Sequence, residues 1–224
     1  MLTQWQNIWS QKYKTSAPTH ILDGFDSLSI DEWQNLVTIF CELIGINKKS
    51  DILDIGCGAG AFLEAIKEYN SLSGVDYSEN AIIKINKNIN GKFLVANADS
   101  LPFKENFFNK IISFSVFFYF PSMRYAEKVV NEMIRVCKPG GKILIGDLND
   151  ADKIGLYNAM REKEIRNEKH ITKETSLVHL FFDKEFFIKI AEDNKIKIQI
   201  IDEDKLDLPF YSSSQYRYSI IYTL

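Results

Sequence analysis

The stretch Asp51–Gly60, DILDIGCGAG, constrains the fold more than any other feature of the chain. A short apolar run ends at Asp54, and glycines follow at positions 56, 58 and 60. Glycine adopts positive φ at little cost and leaves space beside the backbone, so the pattern reads as a tight turn from a buried strand into a helix. Such a turn aims backbone N–H groups and a helix N-terminus at whatever lies above it.

The rest of the chain fits a sheet built on that turn. After DILDIG, Ala59 to Tyr69 reads as a helix and SLSGVD as a second strand. Ser78 can cap the helix ENAIIKINKNI, and KFLVANA and KIISFSV are the third and fourth strands. Tyr125 to Cys137 has an inward stripe of Val129, Val130, Met133 and Ile134, and KPGG turns into the strand KILIGDL. Strands alternating with helices in this way predict β-α-β units and a parallel sheet covered on both faces. The end of the chain departs from that rhythm. A helix DKEFFIKIAEDN, begun by Asp183, leads to KIKIQIID and QYRYSIIYTL, two successive strands expected to pair antiparallel. Upstream, Trp5, Ile8, Trp9 and Tyr13 have helical spacing, and Ser29 to Glu32 is a capping box ahead of the stripe Trp33, Leu36, Val37, Phe40, Ile44.

These segments predict one domain over 1–224. Residues 1–49 form N-terminal helices and a lid, 50–148 a cofactor-binding core, and 151–182 an insertion over the acceptor site. Residues 183–224 supply the final helix and strand pair. The charged run REKEIRNEKHITKE in the insertion reads as a solvated helix.

Composition disfavours several classes. The net charge of −3 leaves no basic surplus for a nucleic-acid backbone. Three cysteines without C-x-x-C spacing speak against zinc and suit reduced thiols. No apolar run reaches the roughly 20 residues of a membrane span, and the N-terminus lacks a signal-peptide core. A cytoplasmic protein with no membrane insertion is expected.

The turn implies a nucleotide-like ligand at Gly56, Gly58 and Gly60, although three such glycines can also serve a turn alone. Asp76 ends the second strand 20 positions after Gly56, where a carboxylate can accept both ribose hydroxyls. Gly56, Gly58 and Ala61 also satisfy G-x-G-x-x-A, so an NAD(P)-dependent oxidoreductase is an alternative. Three features favour another ligand. Asp54 stands before the glycines, where it would repel a pyrophosphate and attract a cationic amino-acid group. ADSLPF after the third strand offers Asp99 to a purine amine and Leu101 to its face. About 50 residues precede the glycine strand, whereas dinucleotide folds usually begin at it.

ILDIGCGAG, GVDYSENAI, NADSLPFKENFFNKIISFSV and RVCKPGGKILIGD, in this order over Ser50–Asp147, resemble the successive motifs of the class I S-adenosylmethionine-dependent methyltransferases. The resemblance implies a Rossmann-like α/β fold with a seven-stranded sheet in order 3-2-1-4-5-7-6, its last strand antiparallel. It implies S-adenosyl-L-methionine as cofactor, with no second cofactor and no metal. It assigns Asp54, Gly56, Gly58 and Gly60 to the methionine and adenosine turn, and Asp76, Tyr77 and Ser78 to the ribose. Asp99 and Ser100 fall to the adenine, and Ser115 to the passage of the methionyl group. Cys57 is a small turn residue. Trp9 and Tyr13 are candidates to close over the cofactor, with ordinary core packing as their alternative. A non-catalytic S-adenosylmethionine-binding module also remains open.

The acceptor is less constrained. The place after the fourth strand reads SVFFYFP, without the [DNS]-P-P-[YF] pattern of nucleic-acid amino-methyltransferases, and this favours O- or N-methylation of a small molecule. The flanks are similar to small bacterial enzymes of capsule or surface-polysaccharide biosynthesis, which implies a sugar, sugar nucleotide or glycan substituent. For the chemistry, Tyr119 and Asp147 are expected to leave the fourth and fifth strands on the ligand edge. His179, ahead of His170 and His20, is the candidate general base. Arg217, between Tyr216 and Tyr218, is either an anion binder or an exposed strand residue.

Overall fold

The computed structural model describes residues 4–167 and 178–224. Its centre is one seven-stranded sheet. The strands are β1 (Asp51–Ile55), β2 (Ser71–Asp76), β3 (Lys92–Val95), β4 (Phe108–Phe114), β5 (Cys137–Asn149), β6 (Lys197–Asp202) and β7 (Arg217–Thr223). Their order is β3-β2-β1-β4-β5-β7-β6. Strands β1 to β5 pair in parallel, and β7 runs antiparallel to both β5 and β6. Order and directions are those expected. The alternating carboxyl edge of β1, β2 and β4 therefore gathers Asp54, Asp76 and Ser115.

Eight helices are described: α1 (Gln4–Lys12), α2 (Thr19–Leu22), α3 (Ile30–Ile44), α4 (Ala61–Glu64), α5 (Glu79–Asn88), α6 (Met123–Val136), α7 (Ile154–Asn167) and α8 (Lys184–Asn194). The capping box at Ser29 and Glu32 starts α3, and left-handed Gly45 ends it. Ser78 caps α5 and Ser122 caps α6 through their hydroxyls. Two expectations fail locally. The helix expected over 59–69 is the single turn α4, because one turn already buries Phe62 and Leu63 and a bend then brings Ile66 into the core. KPGG lies inside the long β5: Gly140 N–H and Gly141 C=O bond to Leu224, so the segment is a bulged extension of the ladder. His170 and the end of the charged run lie outside the described residues. No helix among the described residues is long and apolar enough to cross a membrane.

Two apolar clusters cover the two faces of the sheet. One joins the α3 stripe to α4, α5 and Phe114, and the other joins α6 and α8 to β4, β5 and β7. Trp33, 1% exposed, donates from Nε1 to Ala61 C=O at 3.2 Å, which fixes α3 against the glycine turn. Phe40 is fully buried on α3, with its ring 4.8 Å from that of Phe114. Phe40→Ala is expected to cost about 3–5 kcal/mol, the range for a buried phenylalanine. Urea unfolding checks this, and a loss under about 1 kcal/mol would mean that α3 is not part of the sheet's core.

Candidate active site

The glycine turn is held by its own chain on all sides. Gly56, Gly58 and Gly60 have φ of 76°, 52° and 97°, a region that side chains avoid. A Cβ on Gly56 would stand 2.6 Å from Val116, and one on Gly60 2.7 Å from Ile85. On Gly58 it would stand 2.3 Å from Asp23 Oδ1 and 2.6 Å from the Tyr13 hydroxyl. The space vacated at Gly58 is thus filled by the N-terminal segment, which corrects the expectation that a ligand fills it.

Asp23 is the residue that sequence reasoning missed. Its carboxylate accepts from the N–H groups of Ala59 at 2.8 Å and Ala61 at 2.9 Å, and so satisfies the donors that open α4. The Asp-Gly pair in HILDGFDSL signals a turn, but nothing in the spacing places that turn opposite residue 59.

Beside this turn lies a cavity of about 320 Å³, at the lower end of the usual range for small-molecule sites. Asp54 and Gly56 line it from β1 and its turn, Asp76 and Tyr77 from the end of β2, and Asn97 and Asp99 from the loop after β3. Ser115, Tyr119 and Phe120 follow β4, Tyr125 comes from α6, and Trp5, Gln6, Trp9 and Tyr13 close the cavity from the N-terminus. Trp5, Gln6, Asn97, Phe120 and Tyr125 were not anticipated. Of the expected cofactor residues, Gly58, Gly60, Ser78 and Ser100 are off the wall. Ser78 is spent on capping Ala81 N–H, and Ser100 sits exposed on the turn after Asn97. Asp76 is buried, accepting from Gly58 N–H at 3.1 Å and Ser78 N–H at 2.8 Å. Each oxygen keeps a lone pair for a further donor. Tyr125 leans on Asp99; burial, then that carboxylate, pushes its phenol up to about 12.

The electrostatics of the cavity point to a cation. Burial pushes Asp23 up to about 7 and Asp76 up to about 6, against the N–H bonds that each accepts. It pushes Asp54 well above the carboxylate range, with Asp23 and Asp76 adding repulsion. No Lys, Arg or His lies among the described residues of the wall. Three crowded carboxylates without a positive partner attract a cationic ligand and repel a pyrophosphate. No group of three metal-ligating side chains is found among the described residues.

The expected catalytic residues separate. Tyr119 lines the cavity. Asp147 does not: it is fully buried at a φ of 64°, paired with Arg217 and accepting from Tyr211 at 2.8 Å. Its expected place at the ligand edge is corrected by that pairing, which turns it into the sheet. His179 is also off the wall. Its Nδ1 shares a 2.8 Å hydrogen bond with the Tyr157 hydroxyl, and its ring stacks on Trp5 at 4.8 Å. Burial, then the charges of Arg161 and Arg217, depress it to about 3, far too weak for a base near neutrality. Apolar packing, which suggested a held base, is the cause of that weakness. Arg217 is 9% exposed, not on a free strand face.

Residues 53–145 match the family described as Methyltransferase domain. The chain is 33% identical over 135 residues to the tRNA (carboxymethyluridine(34)-5-O)-methyltransferase of Arabidopsis thaliana, a match covering 60% of this chain and 32% of that protein. It is 34% identical over 102 residues to the demethylmenaquinone methyltransferase of Shouchella clausii, covering 41% of this chain and 42% of that one. The fold is similar to that of Haemonchus contortus phosphoethanolamine N-methyltransferase 1, solved with phosphoethanolamine and S-adenosylhomocysteine. The TM-score is 0.67 at 12% identity, over 98% of this chain and 48% of that one. The chain spans between 20% and 32% of the length of the curated relatives first matched. Over residues 53–145 the chain is thus similar to a methyltransferase domain, and its fold is that of solved proteins that use S-adenosyl-L-methionine. The cavity fits that molecule, since its sulfonium and ammonium charges answer the three carboxylates.

Two outcomes follow from this geometry. A cation favours the ionised forms of Asp23, Asp54 and Asp76, so affinity for S-adenosylmethionine is expected to rise with pH. It should fall as the pH drops through 7 and 6, by about tenfold per carboxylate for each pH unit below its pKa. Calorimetry between pH 5.5 and 8 checks this, and a flat profile would show the carboxylates to be uncoupled from the ligand. Deleting residues 1–14 removes Trp5, Trp9 and Tyr13 from the wall while leaving β1 to β7 in place. Stopped-flow measurement should show cofactor release at least about tenfold faster, within the range that a lid controls. An unchanged rate in a folded protein would make these residues packing alone.

Proposed function

We propose that the protein transfers the sulfonium methyl group of S-adenosylmethionine to an oxygen or nitrogen of a small-molecule acceptor. The observation that carries this reading is the adjacency of two cavities of opposite character. The first is the acid-lined cavity just described. The second is a polar pocket of about 90 Å³ that shares Asp23, Phe25, Ser115 and Tyr119 with it. A cationic donor in the first would present its methyl group toward an acceptor in the second.

In this reading Asp76 takes the ribose hydroxyls, Asp99 and Asn97 the adenine edge, and Asp54 the ammonium. The bound cofactor supplies an already activated methyl group, so the chain mainly orients the acceptor and receives a proton. Asp23 stands on both walls and takes that proton. A lone pair on the acceptor oxygen or nitrogen forms the new bond to carbon, the carbon–sulfur pair returns to sulfur, and the acceptor's proton goes to the carboxylate while its bonding pair stays on the acceptor atom. Held near 7, Asp23 has the basicity that His179 lacks. Ser115, with φ of 60°, turns the backbone between the two cavities.

The narrower class of sugar or glycan acceptors rests on the flanking segments alone. A second reading, an RNA acceptor, is favoured by the Arabidopsis relative and opposed by the net charge of −3. An acceptor screen that reads out adenosylhomocysteine distinguishes them: turnover on transfer RNA and none on small molecules would overturn the proposal. With an acceptor in hand, Asp23→Asn is expected to lower kcat by about 10²–10⁴ and to remove the pH-rate limb near 7, while His179→Gln changes kcat less than about threefold. The reverse pattern would restore the histidine as the base.

A further inference from the structure

The polar pocket contains a cation whose hydrogen bonds are incomplete. Arg217 lines it with Ser27, Ser213 and Tyr211, and the guanidinium lies 4.8 Å over the Phe118 ring. Nη1 is committed to Asp147 and to the Tyr211 hydroxyl. Nε is buried and has no partner among the described residues. An arginine can bind a planar or tetrahedral oxyanion with two parallel N–H bonds from the Nε–Nη2 edge, and the Nε donor of that edge is unpartnered here among the described residues. A buried donor without an acceptor is costly, so a site that serves only as a salt bridge would be expected to fill it.

The groups that interact electrostatically with Arg217 are Asp147, Glu203, Tyr211, Tyr216, Tyr119, Tyr157 and His179, with Asp23 across the pocket. Asp147 balances Arg217. Burial, then Asp147, pushes Glu203 up to about 8, so it is protonated near neutrality and adds no charge. Its Oε1 accepts from Asp147 N–H at 3.0 Å and pairs with Ser219, holding the loop that orients the Asp147–Arg217 pair. Among the described residues, the Ser213 hydroxyl bonds to the neighbouring Tyr216 hydroxyl at 2.9 Å, and it can turn toward a ligand. The volume of about 90 Å³ suits a group of a few heavy atoms.

Building on the proposed methyl transfer, we infer that the acceptor carries a small oxyanion, a carboxylate or a phosphoryl group, which the unpartnered Nε donor of Arg217 and the Ser213 hydroxyl hold in this pocket. The rest of the acceptor then reaches past Tyr119 and Ser115 toward the methyl group. The pocket thereby selects acceptors by an anchoring group remote from the atom methylated, and the anchor's charge is drawn to the cationic donor next door.

The test uses the full chain saturated with adenosylhomocysteine at constant ionic strength. Inorganic phosphate and acetate are titrated separately, and binding is followed by ligand-observed NMR. At least one ion should bind in the millimolar range, about what four or five heavy atoms supply. Arg217→Lys keeps a charge for Asp147 but loses the fork, and should weaken that binding by about tenfold or more. Ser213→Ala, at a half-buried position, should weaken it about threefold even if the lysine variant misfolds. Binding of phosphate alone identifies a phosphoryl acceptor, and binding of acetate alone a carboxylate. No binding of either ion, or equal binding to wild type and both variants, overturns the inference. Adenosylhomocysteine affinity should be unchanged in both variants. If adenosylhomocysteine does not bind the wild type at all, the methyltransferase reading fails instead, and the same titrations on the bare protein still decide the Arg217 site.

Discussion

Two backbone N–H groups, those of Ala59 and Ala61, are answered by the carboxylate of Asp23, and the site is organised around that contact. A one-turn helix such as α4 has almost no intrahelical partners for its first donors, so it depends on an outside acceptor to keep its shape. That acceptor comes from a segment with no strand of its own. The contact therefore fastens the first helices to the sheet, places Tyr13 over Gly58, and sets one carboxylate on the common wall of two cavities. A neutral side chain could fill the same space, but it would not answer both donors and would leave one wall without its charge.

The clustering of acids carries an energetic cost that the empty protein must bear. Asp23, Asp76 and Glu203 have folded-state pKa values raised above those of an unfolded chain. The folded state then binds more protons than the unfolded one between about pH 4 and 8, so these groups make stability decline as the pH rises through that window. Carboxylates held low by partners, such as Asp202 at about 2 between Lys184 and Lys205, act in the opposite sense and only at lower pH. A cationic ligand offsets the first effect where it is largest, which couples folding free energy to occupancy.

Much of the architecture was legible because periodicity reports burial. The buried run of β1, the stripe of α3 and the capping box at Ser29 specify their elements locally, and the strand rhythm implies a parallel sheet with an antiparallel end, while the strand order came from the family resemblance. Asp54, Asp76 and Asp99 were legible because strand ends on the carboxyl edge are fixed by topology. What escaped was decided by contacts between distant segments. Asp23 meets a turn 36 residues away, Tyr125 reaches the cavity from a helix read only for its inward stripe, and Asp147 turns inward to Arg217, 70 residues on. His179 shows a different limit. Its neighbourhood was legible as apolar, but the loss of basicity depends on the summed desolvation and on two arginines that sequence spacing does not bring together.

The position of α1 bears on how ligands enter and leave. Its Trp9, with Tyr13 just after its end, lines the acid-lined cavity, while Trp5 packs on Tyr119 at 4.7 Å, stacks on His179 and donates to Val178 C=O at 3.3 Å. One helix thus roofs the acid-lined cavity and braces the wall beside the polar pocket. Swinging it aside to let one molecule in or out loosens the seat of the other. On the proposed methyl transfer, the exchange of donor and of acceptor is therefore tied to the placement of one helix.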